Sequence, residues 1–178
     1  MYPVLTGSLC DYLNILKKWE VLFQMIVGFI GLGNLGQKLA STLSRNGVNL
    51  IVNDINETKA QELIKNGATW AKTPQLVAEL SDQIITCLPS PRICADVMES
   101  ENGVIAGLKV GKIWIEMSTT SKFEVLRLNE KIGEKGAVSS DCPVSGGCHK
   151  AASGNISIFS GCEREVFERI KATLFIMG

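Results

Sequence analysis

One short segment restricts the possible folds of this chain more than any other. The apolar run Ile26–Ile30 is followed directly by three glycines, Gly31, Gly33 and Gly36, and then by leucines at every fourth position. A buried strand, a glycine-rich turn and an amphipathic helix in this order are typical of a loop that lets a phosphate approach the backbone. The same glycine spacing also occurs by chance, so the rest of the chain has to distinguish a ligand site from a structural turn.

Beyond this segment, short apolar runs alternate with amphipathic stretches. Runs that are apolar on both faces predict strands of a parallel sheet, and amphipathic stretches predict the helices that cover it. The predicted strands are residues 26–30, 50–52, 68–71, 84–88, 113–115 and 156–159. The predicted helices are residues 35–46, 57–66, 74–80 and 92–99, and two more that begin at 121 and 163. This order predicts an α/β fold with a doubly wound, mostly parallel sheet of the Rossmann type.

An acidic residue ends the second predicted strand. Asp54 follows the glycines by about 20 residues, the distance at which a carboxylate accepts hydrogen bonds from the adenosine ribose of a bound dinucleotide. The same carboxylate repels a 2′-phosphate, and the next residue is Ile55 rather than an arginine that would bind one. We therefore expect NAD rather than NADP. The predicted cofactor-binding residues of this part of the site are Gly31, Gly33, Asn34, Leu35, Gly36 and Asp54.

Two later strands and one loop supply further candidates. In open parallel sheets, ligands bind beyond the carboxyl ends of the strands. Leu88 and Pro89 follow the fourth strand, and Ser118 and Thr119 follow the fifth, although a strand stop and a helix cap explain them equally well. In the run Ser145, Gly146, Gly147, a hydroxyl and two glycine N–H groups can hold a carboxylate, with a simple turn as the alternative.

Composition and charge exclude several classes of function. Lysine plus arginine and aspartate plus glutamate number 18 each, so no net charge favours nucleic acid or an acidic membrane surface as a partner. No apolar run reaches the ~18 residues that a membrane-spanning helix needs. The six cysteines form no C-x-x-C pair, and the only histidine, His149, has no zinc-type spacing to Cys142 or Cys148. We therefore expect reduced thiols and no bound metal.

The alternation of apolar runs and amphipathic stretches begins at Met25, directly before the first predicted strand. Residues 1–24 contain Asp11 and Glu20 but no arginine, which makes them a poor organelle-targeting segment. We expect them to be an N-terminal extension of a single dinucleotide-binding domain that covers residues 25–178. They leave the compartment undecided between the cytoplasm and the mitochondrial matrix.

Four motifs in order give this chain a family resemblance. The segments GFIGLGNLGQKLASTL, CLPS, MSTTS and DCPVSGGCHKAASGNISIFSG together resemble the 3-hydroxyisobutyrate dehydrogenase-like family of β-hydroxyacid dehydrogenases, from Met25 to Gly178. The resemblance implies hydride transfer between a nicotinamide dinucleotide and a small 3-hydroxy acid or its semialdehyde. It implies that Leu88, Pro89 and Thr119 contact the nicotinamide side of the cofactor. It assigns substrate contacts to Ser118 and to the carboxylate cradle of Ser145, Gly146 and Gly147.

The chain departs from the pattern of this family at three places. Glu116–Met117 replaces the usual aspartate-containing lead-in to the Ser-Thr pair, which is a mild change. Ile93 stands where relatives often carry a polar residue near the cofactor, and His149–Lys150 stands where they mostly have small residues. The change at Ile93 affects one expected contact with the cofactor. The change at His149–Lys150 affects the choice of substrate.

The proton-transferring lysine of this family lies in a glycine-rich segment that follows the part matched by the end of this chain, so we expect no catalytic residue within the chain. The family's asparagine partner and an all-helical second domain, through which relatives largely dimerise, follow as well. We expect this chain to bind NAD without turnover and to expose an apolar face of its last helix (Val166, Ile170, Leu174, Phe175). The alternatives are a non-catalytic dinucleotide-binding module, an imine reductase, or a glyoxylate or succinic semialdehyde reductase. We do not expect Lys150 or His149 to take over the proton transfer that the lysine performs in this family.

Overall fold

The computed structural model describes residues 25–178, and its centre is a single parallel sheet. Six strands lie in the order β3–β2–β1–β4–β5–β6, and every neighbouring pair is parallel. The strands are β1 Ile26–Ile30, β2 Asn49–Asn53, β3 Thr69–Trp70, β4 Gln83–Thr86, β5 Ile113–Glu116 and β6 Val138–Asp141. The chain leaves β3 at one edge and returns beside β1, so the strand order reverses between β1 and β4. This topology confirms the predicted Rossmann-type sheet.

Helices connect these strands. They are α1 Gly36–Arg45, a 3₁₀ turn Glu57–Ala60 that leads into α2 Gln61–Lys65, α3 Pro74–Leu80, α4 Pro91–Glu99, α5 Val104–Gly107, α6 Lys122–Glu134, α7 Gly147–Ser153 and α8 Arg164–Met177. The side chains of Thr73, Ser90 and Ser121 each accept a backbone N–H at the start of α3, α4 and α6. At the start of α6, the Ser121 hydroxyl accepts the Glu124 N–H, which is one of the two hydrogen bonds of a capping box.

The apolar side chains of the strands alternate between two faces, each of which is covered. On one face, Phe29 and Ile85 belong to a core that includes residues of α1 and α8. On the other face, Ile84 and Trp114 belong to a core that includes residues of α3, α4, α5 and α6. Coverage of both faces explains why the strands read as continuous apolar runs rather than as alternating ones.

The last predicted strand does not join this sheet. Within residues 156–159, only Ser157–Ile158 (β8) is extended, and it pairs antiparallel with Val144–Ser145 (β7) in a separate two-stranded ribbon. Just beyond it, Gly161 forms an antiparallel bridge with Asp141 at the outer edge of β6, with reciprocal N···O distances of 3.1 and 2.7 Å. The apolar character of residues 156–159 therefore reflects packing over the sheet edge and not a seventh parallel strand.

The expectation of an exposed apolar face on the last helix is wrong for three of its four residues. Val166, Ile170 and Leu174 are 7%, 0% and 4% exposed, because α8 packs against the same core as α1. Phe175 alone is exposed, at 66%. The helix closes one face of the sheet, so it belongs to the core of this domain.

Candidate functional site

A cleft opens beyond the carboxyl ends of β1, β2, β4 and β5, where the strand order reverses. Its volume is about 920 Å³, within the size range of sites for small molecules and cofactors. Nine of the residues predicted from sequence line it together: Gly31, Gly33, Asn34, Leu35, Asp54, Leu88, Pro89, Ser118 and Thr119. Open α/β sheets bind their ligands at such a reversal, so the position of the cleft agrees with that of a dinucleotide site.

The three glycines of the first loop have three different reasons to be glycine. Gly31 has a φ of 96°, and a Cβ there would lie 2.4 Å from the Cys87 carbonyl oxygen. A Cβ on Gly36 would lie 2.0 Å from the Gly31 carbonyl oxygen, so close helix–strand packing requires this glycine. A Cβ on Gly33 would meet no heavy atom within 4 Å. The protein itself therefore does not need glycine at position 33, and the free space there suits the close approach of a pyrophosphate.

Asp54 is held firmly at the end of β2. One carboxylate oxygen accepts the Leu32 N–H at 2.7 Å, and the other accepts the Asn56 N–H at 2.9 Å. The ammonium group of Lys59 lies 3.5 Å from the second oxygen. The oxygen that accepts from Leu32 keeps a lone pair for a further donor such as a ribose hydroxyl.

Lys59 changes the electrostatic reasoning about this end of the cleft. Its side chain lines the cleft, is 42% exposed, and places a positive charge beside Asp54. Repulsion of a 2′-phosphate is therefore weaker than Asp54 alone implies. Sequence reasoning considered only Ile55, next to the aspartate, and missed a lysine brought back to the same place by the 3₁₀ turn.

The loops after β4 and β5 are tied to each other. The Leu88 N–H donates to the Ser118 hydroxyl at 2.7 Å, and Ser118 is only 4% exposed. Thr119 and Pro89 are exposed residues of these two loops. The Ser118 side chain also forms a hydrogen bond with the carboxyl group of Glu116, so its hydroxyl has structural contacts both as acceptor and as donor.

Beneath these two loops lies the fully buried carboxyl group of Glu116, the last residue of β5. It accepts hydrogen bonds from Thr86 and Cys94 at 2.9 and 2.8 Å and from the Ser118 N–H at 2.5 Å. Burial raises the pKa of Glu116, and these hydrogen bonds offset only part of that effect. The sequence marks Glu116 as a mild departure from a family pattern, and nothing in that pattern identifies it as the centre of a buried network.

The predicted carboxylate cradle lies beside the cleft rather than in its wall. Val144 lines the cleft, but Ser145, Gly146 and Gly147 are not among its lining residues. Gly146 and Gly147 have φ values of 131° and 78°, and a Cβ on Gly146 would lie 2.8 Å from the aliphatic chain of Lys150. Gly36, the remaining predicted residue, lies behind the loop as the first residue of α1. Neither Lys150 nor His149 lines the cleft within the described part of the chain.

One face of α4 forms a wall of the cleft that sequence reasoning largely missed. Ile93, Asp96 and Val97 line it together with Ser100, the residue that caps the end of the helix, and Ile93 is 40% exposed. Their spacing of three and four residues is that of one helical face. This periodicity is present in the sequence, but α4 mixes polar and apolar residues on this face, so a search for apolar stripes does not find it. Ile93 does lie at the cleft, as its place in the family pattern implies.

Metal and membrane sites find no support in the described residues. Between residues 25 and 178, no three His, Cys, Asp or Glu side chains are grouped so that they could hold a metal ion. Over the same residues, no helix is both long and apolar enough to cross a bilayer. The five cysteines in this part of the chain are free thiols.

Known proteins resemble this chain over the whole described region. Residues 26–178 match the family model for the NAD-binding domain of 6-phosphogluconate dehydrogenase. The chain is 36% identical over 152 residues to 2-(hydroxymethyl)glutarate dehydrogenase of Eubacterium barkeri, covering 85% of this chain and 50% of that enzyme. It is 37% identical over 152 residues to the mitochondrial 3-hydroxyisobutyrate dehydrogenase of Mus musculus, covering 85% and 45%. The chain thus spans about half the length of these curated relatives.

Solved structures share the fold. Psf3 in complex with NADP+ and 2-OPP has a TM-score of 0.81 at 29% identity, covering 85% of this chain and 54% of that one. An imine reductase of Streptomyces aurantiacus has a TM-score of 0.76 at 20% identity, covering 85% and 52%. The second likeness is one of fold alone.

Proposed function

We propose a function from one premise: this chain belongs to the family of NAD-binding domains typified by that of 6-phosphogluconate dehydrogenase. The chain is the cofactor-binding half of an oxidoreductase that transfers hydride between NAD and a small 3-hydroxy acid or its semialdehyde. The observation that carries the proposal is the cleft at the strand-order reversal, where an open-sided Gly33 and the fixed carboxylate of Asp54 line the same cavity. Hydroxy acid dehydrogenases among the relatives support the substrate class.

The dinucleotide lies across the carboxyl ends of the strands in this proposal. Asp54 would accept hydrogen bonds from the adenosine ribose, and the loop of Gly33, Asn34 and Leu35 at the start of α1 would hold the pyrophosphate. Leu88, Pro89 and Thr119, which line the other half of the same cleft, would hold the nicotinamide end. When bound, the nicotinamide supplies the hydride acceptor or donor. The residues of this chain bind and orient it.

The hydroxy acid binds at the nicotinamide end of the cleft. Ser118 accepts the Leu88 N–H, and its side chain also forms a hydrogen bond with Glu116. To donate to a substrate carboxylate oxygen in this proposal, its hydroxyl proton therefore has to turn from Glu116 to the substrate. Ser145, Gly146 and Gly147 stand next to Val144 at the rim of the cleft and supply the remaining donors. Ser118 thus has two roles at once, because one hydroxyl both holds the Leu88 loop and contacts substrate.

The group that moves the alcohol proton is not among the described residues of the cleft. Lys59, the lysine that lines it, is paired with Asp54 at the adenosine end. In the family that the motifs resemble, the proton-transferring lysine follows the segment matched here. We therefore expect the 178-residue chain by itself to bind NAD and to leave hydroxy acids unoxidised. The imine reductase alternative rests on a shared fold alone, and the non-catalytic alternative predicts the same result for this chain.

Isothermal titration with NAD and with NADP tests the proposal. The wild-type chain binds NAD more tightly, and Asp54→Ala weakens NAD binding by about tenfold, since a lost hydrogen bond to a charged acceptor is worth about 1.5 kcal/mol. Glu62→Ala, which removes an exposed carboxylate from α2, serves as the matched control and leaves binding unchanged. Tighter binding of NADP by the wild type contradicts the role of Asp54. Hydroxy acid oxidation by the purified chain contradicts the assignment of the proton-transfer step.

A further inference from the structure

The hydrogen-bond donors around Glu116 have fixed directions. The Trp114 indole N–H donates to the Thr86 hydroxyl at 2.8 Å, and an indole nitrogen can only donate. The hydroxyl proton of Thr86 is therefore the one that points at Glu116. The Ser118 N–H on the other carboxylate oxygen can likewise only donate. Two obligatory donors thus face the two oxygens, which requires an acceptor at both positions.

Three walls of the cleft meet at this carboxylate. Thr86 ends β4, directly before the loop that carries Leu88. The Ser118 N–H donates to Glu116, while the Ser118 hydroxyl accepts from Leu88, so both loops are fixed through one side chain. The Cys94 thiol, which also donates to Glu116, lies on α4 next to the cleft residue Ile93. One buried group therefore connects the β4 loop, the β5 loop and α4.

Fold stability does not explain a buried carboxyl group at this place. The pKa of Glu116 is raised, mainly by burial, so the folded protein holds the ionised form less favourably than the unfolded chain does. A raised carboxyl pKa contributes stability at low pH and loses it as the pH rises through the folded-state pKa. The ionised form, which satisfies all of the donors, is therefore less favourable in the folded protein than in the unfolded chain. Buried polar groups with such a cost are found where geometry matters more than stability.

We propose that Glu116 is a positioning residue: by accepting the Thr86 hydroxyl and the Ser118 N–H, it holds the loops after β4 and β5 in the arrangement that contacts the nicotinamide end of the cofactor. This role rests on the proposed function and deepens it. Glu116 itself touches neither cofactor nor substrate. The adenosine end of the cleft, built by Gly33 and Asp54, does not depend on this residue.

The variant Glu116→Gln tests the proposal because it keeps the size of the side chain and replaces one acceptor by a donor. The amide NH₂ then faces either the Ser118 N–H or Thr86, and one of the two hydrogen bonds is lost. Titration with NAD and with ADP-ribose separates the two ends of the cleft, since ADP-ribose lacks the nicotinamide. We expect NAD binding to weaken by ~5-fold, the effect of one or two hydrogen bonds, while ADP-ribose binding stays within ~2-fold of the wild type. We also expect the thermal unfolding temperature to be unchanged or raised.

Glu62→Gln on the exposed face of α2 is the matched control and changes neither titration. Equal weakening of NAD and ADP-ribose binding, no change in either, or failure of Glu116→Gln to fold overturns the proposal. In the last case Glu116 is a structural residue, which loss of the unfolding transition reveals. A wild-type chain that binds neither ligand overturns the proposed function as a whole. That outcome is visible before any variant is made.

Discussion

At the scale of single residues, we expect alanine substitutions at two neighbouring glycines to have opposite effects on NAD binding and on fold stability. Gly33 has free space around it, whereas Gly36 has the Gly31 carbonyl oxygen where its Cβ would be. We expect Gly33→Ala to change the free energy of unfolding by no more than ~0.5 kcal/mol, as at other unconstrained sites, and to weaken NAD binding by about tenfold. We expect Gly36→Ala to destabilise the fold by roughly 2 kcal/mol, because the added methyl group forces backbone movement.

Urea unfolding and NAD titration of the two variants check this pair, each acting as the control for the other. A destabilised Gly33→Ala contradicts the account of free space at that position. Wild-type NAD binding by the same variant shows that the space does not hold the pyrophosphate. The sequence pattern treats the three glycines as one motif, and only coordinates separate the glycine that serves the ligand from those that serve packing.

At the scale of elements, an ion-pair network joins α4 to α6. The Arg127 guanidinium on α6 contacts both carboxylate oxygens of Glu99 at the end of α4, at 2.8 and 2.5 Å, and Lys131 contacts the same carboxylate. Arg127 and then Lys131 lower the pKa of Glu99 to about 2 by these hydrogen bonds. The network holds the outer end of the helix that forms one wall of the cleft.

The pH dependence of this network has a definite sign. The folded-state pKa of Glu99 lies below its ordinary value of 4.5, so its contribution is complete above that value and is lost as the pH falls towards 2. We expect Glu99→Gln to lower the free energy of unfolding by about 0.5 to 1 kcal/mol at pH 7, the range for partly exposed ion pairs. The difference from wild type shrinks as the pH falls towards 2 and vanishes only below it. Urea unfolding across this pH range measures it, with the exposed Glu101→Gln as control.

Elements also show where sequence reasoning reaches its limit. The strands β1, β2, β4 and β5 are buried on both faces, and their unbroken apolar runs identify them without coordinates. The ribbon of β7 and β8 could not be predicted, because two-residue strands produce no periodicity and their pairing depends on the chain between them. The wall formed by α4 and the return of Lys59 to Asp54 likewise depend on tertiary packing. Local patterns therefore predicted the glycine-and-aspartate half of the cleft better than its other walls.

At the scale of the whole molecule, α8 is a core element rather than an unpartnered one. Ile170 is fully buried between the helix and the sheet, while Phe175 on the same helix is 66% exposed. We expect Ile170→Ala to lower the free energy of unfolding by roughly 3 kcal/mol, as is usual for a large-to-small change in a core. Phe175→Ala changes it by ~0.5 kcal/mol or less, as expected for a surface position.

Chemical denaturation of both variants tests this difference. A small effect of Ile170→Ala contradicts the packing of α8 against the sheet. A large effect of Phe175→Ala points to a contact that covers this ring in solution. The sequence places both residues on an amphipathic helix. It does not reveal whether the apolar face packs against its own sheet or against another domain or molecule, because both arrangements give the same periodicity.

The family resemblance read from four motifs is confirmed for the described region, because the matching family model covers residues 26–178. The NAD-binding fold is confirmed with it. The substrate class remains a proposal, as the chain spans about half of its curated relatives. Motifs identify a family well because their glycines and strand-end residues bind the cofactor that its members share. Substrate choice depends on side chains that differ among relatives.

The bridge between Asp141 and Gly161 has a consequence for how copies of this protein behave towards one another. A parallel sheet ends in strands whose outer backbone groups can template a strand of a neighbouring molecule, which is how edge-to-edge aggregation begins. At one edge, β3 offers only the two residues Thr69–Trp70. At the other, Gly161 already occupies the outer N–H and C=O groups of Asp141. Both edges are thus short or partly covered, which guards the sheet against growth into fibrils at high local concentration.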